Sequence, residues 1–300
     1  MPDSLDQRID DYTLHWDTLI DGRENTSICD VEGLSNSDIR FLGRLGLWPE
    51  HNDPDDTRPG SPYVSDMGKY RSLHFDWNSV QSEMNREDPL ALTIDYTRMM
   101  MAFLLFNPNP ARIEMIGLGG GSLAKLCYYL LPNTEITVIE ISREVIELRE
   151  QFLVPPDNGR FRIICTDGAD YVRDSDARPD ILLVDGFDAH GQPPQLCSSL
   201  FYAHCHQRLM PAGLMIANLW GGDPYRRSYA GKMHRCFQGD TLMVPTEGGT
   251  NQAVIARKGA SLSLSESQIA DIQTNFRQRQ AAFLPSIGQR IRCALDRGSH

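Results

Sequence analysis

The chain has 300 residues, 41% of them hydrophobic and 23% charged, which is enough apolar material for a sizeable globular core. No run approaches the roughly 18–20 apolar residues of a membrane span, and the acidic start lacks a basic-then-apolar leader, so a soluble cytoplasmic protein off the membrane is expected. The net charge of −11 repels phosphate backbones and argues against nucleic acid as a partner; it suits a polycationic small substrate, although solubility alone would also account for it.

Fourteen acidic and five basic residues fall within 1–60, so an acidic N-terminal extension is expected over 1–62. Inside it, Ser37 to Leu47 reads as a short capped helix, and 50–62 reads as a loop rich in Pro, Gly and Asp. Lys69–Phe75 and Ser79–Met84 read as short strands. Leu92 to Phe106 reads as an apolar helix stopped by Asn107-Pro108-Asn109-Pro110. Within it, Met99-Met100-Met101 are expected in the core. Together 63–106 form a small β/helix region expected to reach the active site.

From 111 the pattern becomes a strict alternation. Ile113–Gly117, Glu135–Glu140, Phe161–Cys165, Asp180–Asp185 and Leu214–Leu219 read as strands. Ser122–Leu131, Arg143–Phe152 (capped by Ser142), Ala169–Arg173 and Ser199–Leu209 read as the helices between them. Thr241–Val244 and Gln252–Ala256, joined by a turn-rich segment, read as a hairpin. Ser265 and Gln268 form a capping-box pattern that opens a C-terminal helical segment over 259–300. The expectation is an α/β fold over 107–258 of the Rossmann-like class I methyltransferase type, with a mostly parallel seven-stranded sheet and a terminal antiparallel hairpin.

Seven cysteines, an odd number with no Cys-x-x-Cys pair, are expected to be reduced and mostly buried. His204-Cys205-His206 is not expected to bind metal, because helix residues two apart face different ways.

Candidate site residues stand at strand ends, where open α/β sheets bind ligands. The first strand runs into Gly117-Leu118-Gly119-Gly120-Gly121-Ser122, a loop whose glycines allow a sharp turn and close approach of a ligand. Glu140, ending the second strand, is placed to accept hydrogen bonds from both ribose hydroxyls, unless it is a solvated acid. Asp167-Gly168, after the third, suits an adenine amino group; capping the next helix is a compatible role. These features fit an adenosyl sulfonium better than a dinucleotide, since Ser122 replaces the third glycine of the dinucleotide pattern. Asp185 and Asp188 end the fourth strand. One carboxylate can take a proton from an amine nucleophile and the other can hold a distal ammonium, the alternative for each being a loop role. His190 stands beside them as a loop histidine within reach of a substrate. Asn218-Leu219-Trp220, ending the fifth strand, carries no recognisable motif.

With these motifs in order, residues 77–257 resemble the spermidine synthase (polyamine aminopropyltransferase) family. The matching features are Ser79-Val80-Gln81, Tyr96 before an apolar helix, the glycine loop, Val138-Ile139-Glu140-Ile141, Asp167-Gly168, Asp185-Gly186-Phe187-Asp188, Phe201-Tyr202 and Leu209-Met210-Pro211-Ala212-Gly213. The resemblance implies aminopropyl transfer from decarboxylated S-adenosylmethionine to a small-molecule amine; separately, no metal is expected, and a homodimer is left open by the sequence. The resemblance also implies that Asp185 is the acid–base residue, that Asp188 and Tyr96 hold the acceptor, and that Gln81, Glu140 and Asp167 hold the nucleoside. Three features depart from the family. Gly120 stands where a loop aspartate usually grips the aminopropyl ammonium. Thr97-Arg98 replaces Gln-Glu after the tyrosine. The stretch between Gln81 and Tyr96 is short. An absent aspartate weakens discrimination against ordinary S-adenosylmethionine, and Arg98 offers a partner for its carboxylate, unless it is a surface arginine. Methyl or aminocarboxypropyl transfer is therefore the rival expectation, and a non-catalytic nucleoside-binding protein is a third.

Overall fold

A long central sheet organises the protein in the computed structural model, which describes residues 61–76, 79–188, 191–276 and 281–298. The helix expected over 37–47, most of the loop over 50–62, and His190 lie outside the described residues. All described residues belong to one structural unit, His51–His300.

Three antiparallel strands come first: β1 (Tyr63–Met67), β2 (Tyr70–Asp76) and β3 (Ser79–Asn85), in the order β1-β2-β3. Residues 63–67 form a strand that no sequence pattern announces. Four of the five are only half-buried, and the strand is fixed by its pairing with β2, from Tyr63 opposite His74 to Met67 opposite Tyr70. The expected helix over 92–106 is instead a short α1 (Asp95–Met100) running into a 3-10 turn over Met101–Leu105. No side chain caps α1, and burial of all five turn residues holds the tighter coil in place. Met99, Met100 and Met101 are in the core as expected.

The alternation after 111 folds as read. The elements are β4 (Arg112–Ile116), α2 (Ser122–Leu130), β5 (Glu135–Glu140), α3 (Arg143–Glu147), β6 (Phe161–Cys165), α4 (Gly168–Asp174), β7 (Ile181–Val184), α5 (Ser199–Arg208) and β8 (Leu214–Trp220). Then come α6 (Arg226–Cys236), β9 (Thr241–Pro245), β10 (Asn251–Arg257), α7 (Glu266–Asn275) and α8 (Leu284–Gly298). The seven-stranded sheet has the order β6-β5-β4-β7-β8-β10-β9. Its first five strands are parallel, and β10 pairs antiparallel with both β8 and β9. This is the expected sheet, closed by the expected hairpin. Apolar clusters cover both faces, as a parallel sheet requires.

Some boundaries moved for local reasons. Ser142 caps α3 by accepting from the Val145 N–H, but α3 stops at Glu147, and turns carry the chain to Leu153, whose φ is 57°. The capping box at Ser265 and Gln268 is complete. Helix α6 is absent from the sequence pattern because only its Met233 is buried, so it carries no apolar stripe. Cys127, Cys197 and Cys205 are buried free thiols. Against the expectation that most cysteines are buried, Cys236 is half-buried and Cys165 and Cys293 are exposed, Cys165 because β6 is the sheet's outer strand. Cys205 is buried while His206 packs edge-on against Phe237, so the two point to different neighbours. Among the described residues, no group of three or more His, Cys, Asp or Glu side chains is gathered to hold a metal, and no helix is long and apolar enough to cross a membrane.

One buried ion pair pins the helices to the sheet. Glu114 on β4 accepts from Arg208 of α5 at 2.6 Å and from the Tyr171 hydroxyl of α4 at 2.9 Å, while Arg208 also donates to the Tyr171 carbonyl at 2.7 Å. Burial pushes the Glu114 carboxyl above its usual range, and Arg208 pulls it back. Removing one partner of such a pair strands a buried charge. Arg208→Met is expected to cost about 3–5 kcal/mol in a urea titration; a loss within error would show that the pair is not holding α4 and α5.

Candidate active site

The sheet reverses its direction of winding between β4 and β7, and a crevice opens at such a switch point. Main-chain bonds fix the two strand ends that flank it: Gly117 N–H to the Ile139 carbonyl and Asp185 N–H to the Ile116 carbonyl, both 2.8 Å. Gly117 has a φ of 97°, and a Cβ there would stand 2.3 Å from the Asp185 carbonyl oxygen. Only glycine lets the two strand ends approach this closely.

A cavity of about 200 Å³ lies above these ends. Gln81, Tyr96, Gly117, Gly119, Glu140, Asp167, Gly168, Asp185 and Asp188 all line it, so nine of the ten site residues expected from the sequence meet in one place. Gly121 does not line it. It begins α2 with a φ of 66°, packed so closely on Val154 that a Cβ would clash at 2.3 Å. Phe75, Ser82 and Leu196 also line the wall and belong to no motif. They come from the small sheet and from a 3-10 turn over Pro194–Cys197, whose approach depends on tertiary packing.

Glu140 is buried and anchored at both oxygens, accepting from the Leu118 N–H at 2.8 Å and the Ser142 N–H at 2.9 Å. It therefore fastens the glycine loop to the start of α3, and its remaining lone pairs are left for a ligand. Asp167 caps α4 through the N–H groups of Ala169 and Asp170, and its second oxygen accepts from Gln195 at 3.1 Å. The capping role considered from sequence is thus present alongside its place in the cavity wall.

Asp185 is half-buried in the wall. Burial pushes its carboxyl up to about 7, against hydrogen bonds from Asn218 and Tyr96 that favour the charged form. Burial and the neighbouring Asp185 together push the Tyr96 hydroxyl well above its ordinary value, so it stays protonated as a donor. Asp188 is exposed at the rim, where its main chain pairs with Gly191. Asn218, which carried no motif, donates to Asp185 at 2.9 Å. The register brings them together: Val184 is paired with Ala217, so the residues that follow them stand side by side, which no motif in the sequence signals.

Comparisons with known proteins place the chain in a family and its fold among solved structures. The Spermine/spermidine synthase domain family matches residues 94–224. A polyamine aminopropyltransferase of Chromobacterium violaceum is 36% identical over 206 residues, covering 68% of this chain and 79% of that protein. The chain belongs to the spermidine synthase (polyamine aminopropyltransferase) family. As a spermidine synthase relative it is a transferase. The fold is that of a probable spermidine synthase from Corynebacterium glutamicum, with a TM-score of 0.60 at 20% identity over 71% of this chain and 82% of that one. Human methyltransferase-like protein 13, solved with SAH, shares it at a TM-score of 0.51 and 20% identity, over 65% of this chain and 93% of that one.

The departures from the family pattern have structural form. A Cβ on Gly120 would meet Ser82 Oγ at 2.7 Å and Phe152 Cδ1 at 2.9 Å, so the space for a loop aspartate is filled. Lys125 holds Phe152 there by donating to its carbonyl at 2.7 Å. Arg98 does not line the cavity. It donates to the Leu92 carbonyl at 2.9 Å and pairs with Glu247 at 3.3 Å.

Proposed function

We propose that the protein transfers an aminopropyl group from decarboxylated S-adenosylmethionine to a small amine. The observation that carries the choice of donor is the charge of the cavity wall. Glu140, Asp167, Asp185 and Asp188 line it, and no Lys, Arg or His does among the described residues. A sulfonium with a terminal ammonium suits four carboxylates. The α-carboxylate of ordinary S-adenosylmethionine would meet only like charges there. Two like charges about 7 Å apart at an effective dielectric constant of 20 repel by about 2 kcal/mol, or about 30-fold in affinity.

In this reading Glu140 accepts from the ribose hydroxyls, Asp167 from the adenine amino group, and Gln81 and the glycine loop complete the nucleoside cradle. Asp188 and Tyr96 hold the acceptor with one nitrogen facing the sulfonium. An amine with a solution pKa near 10 must shed a proton to attack. Its lone pair forms the new C–N bond to the propyl carbon beside sulfur, the C–S bond breaks, and methylthioadenosine leaves. Asp185 takes the proton, and an acceptor poised near neutrality suits that task. Holding both reactants in line supplies much of the rate.

The test pairs calorimetry with product analysis. Decarboxylated S-adenosylmethionine is expected to bind at least about 30-fold more tightly than the carboxylated form, and turnover with a diamine is expected to release methylthioadenosine. Release of S-adenosylhomocysteine with equal affinity for both donors would overturn the proposal in favour of methyl transfer.

A further inference from the structure

Asn218 stands behind the acid–base candidate and outside the cavity wall. It is 2% exposed, donates through Nδ2 to Asp185 Oδ1 at 2.9 Å, and accepts at its own Oδ1 from Asn251 Nδ2, also at 2.9 Å. Its backbone carbonyl accepts from Gln192 Nε2 at 2.8 Å. A carboxylate can only accept, and an amide has one donating and one accepting end. The Asn251 donor occupies the accepting end of Asn218, so only the donating end is left for Asp185.

We infer that Asn218, oriented by Asn251, is a positioning residue that fixes the Asp185 carboxylate and holds it in the charged form for proton transfer. The inference rests on Asp185 being the proton acceptor. The relay crosses three strands: Asp185 follows β7, Asn218 is on β8 and Asn251 begins β10. Its last two members are neutral. The other titratable groups around Asp185 are Tyr96 on α1, Glu140 from β5, Asp167 before α4, and Asp188 in its own loop. All but Tyr96 are acidic, and Tyr96 and Asn218 are its hydrogen-bonding donors. With burial opposing ionisation, losing a donor leaves the anion much less favoured.

The test measures Asn218→Ala, Asn251→Ala and the double variant. Asn218→Ala is expected to move the acid limb of the pH profile of kcat/KM upward by about one unit, with little change in nucleoside KM. Asn251→Ala is expected to move it less in the same direction, and the double variant no further than Asn218→Ala. Carboxyl 13C titration of Asp185, assigned by its absence in Asp185→Asn, reads the same shift without turnover. A uniform drop in rate at every pH with an unmoved Asp185 titration would overturn the inference. A moved titration with an unmoved rate profile would uphold the orientation and overturn Asp185 as the proton acceptor.

Discussion

Asp185→Asn is expected to lower turnover about a thousandfold or more, within the range that one positioned acid–base group supplies, while nucleoside affinity changes only a few-fold. Asparagine keeps the shape and retains an oxygen for the Asn218 donor. The Tyr96 hydroxyl can rotate to accept from the new amide. What is lost is the site for the acceptor's proton. Wild-type kcat/KM should fall as pH drops through about 7, where the Asp185 carboxyl titrates. The residual rate of the variant should lack that limb. Stability should move the opposite way. The folded carboxyl titrates near 7 and the unfolded one near 4. Below pH 4 both states are protonated and Asp185 costs nothing. Between 4 and 7 the unfolded state ionises first, so wild-type stability declines, and above 7 the full penalty stands. The variant should therefore gain Tm above pH 7 and match wild type below pH 4. Methylthioadenosine release, calorimetry with the donor and thermal melts at several pH values check all three. A variant that turns over at wild-type rate would remove Asp185 from the chemistry.

The site was legible where sequence order and space coincide. Glu140, Asp167 and Asp185 each stand at or just past the end of an apolar strand, and a parallel sheet brings successive strand ends to one rim whatever the loops do. Gly117 could be read for the same reason. Contacts set by register or by distant elements were not legible. The Asn218–Asp185 bond needs β7 and β8 aligned, and the Asn251–Asn218 bond needs the antiparallel register that sets Asn218 opposite Ala253. The missing aspartate at 120 was visible as a letter. That Ser82 and Phe152 close the space it would need was not, since these residues come from β3 and from the turns after α3. Arg98 read as a candidate partner for a donor carboxylate, but the hairpin turn carrying Glu247 claims it. A polar helix such as α6 leaves no apolar period to read.

Glu140→Gln should separate binding from chemistry in the other direction, raising the nucleoside Kd more than a hundredfold and lowering Tm by several degrees. Both carboxylate oxygens accept from main-chain N–H groups, one in the glycine loop and one at the start of α3. An amide has only one accepting atom, so its NH2 must face one of those donors. Leaving a buried N–H unpaired costs about 1–3 kcal/mol, and the loop would shift to relieve it. The ribose would lose a charge-assisted acceptor as well, a bond roughly twice as strong as a neutral one. Glu140→Asp should fare little better, because a side chain one methylene shorter cannot reach both amides. Donor present in large excess should restore much of the Glu140→Gln rate, whereas no donor concentration should restore Asp185→Asn. Wild-type affinity in Glu140→Gln would mean that the nucleoside does not rest on the end of β5, and the placement of sulfur and propyl carbon beside Asp185 would fall with it.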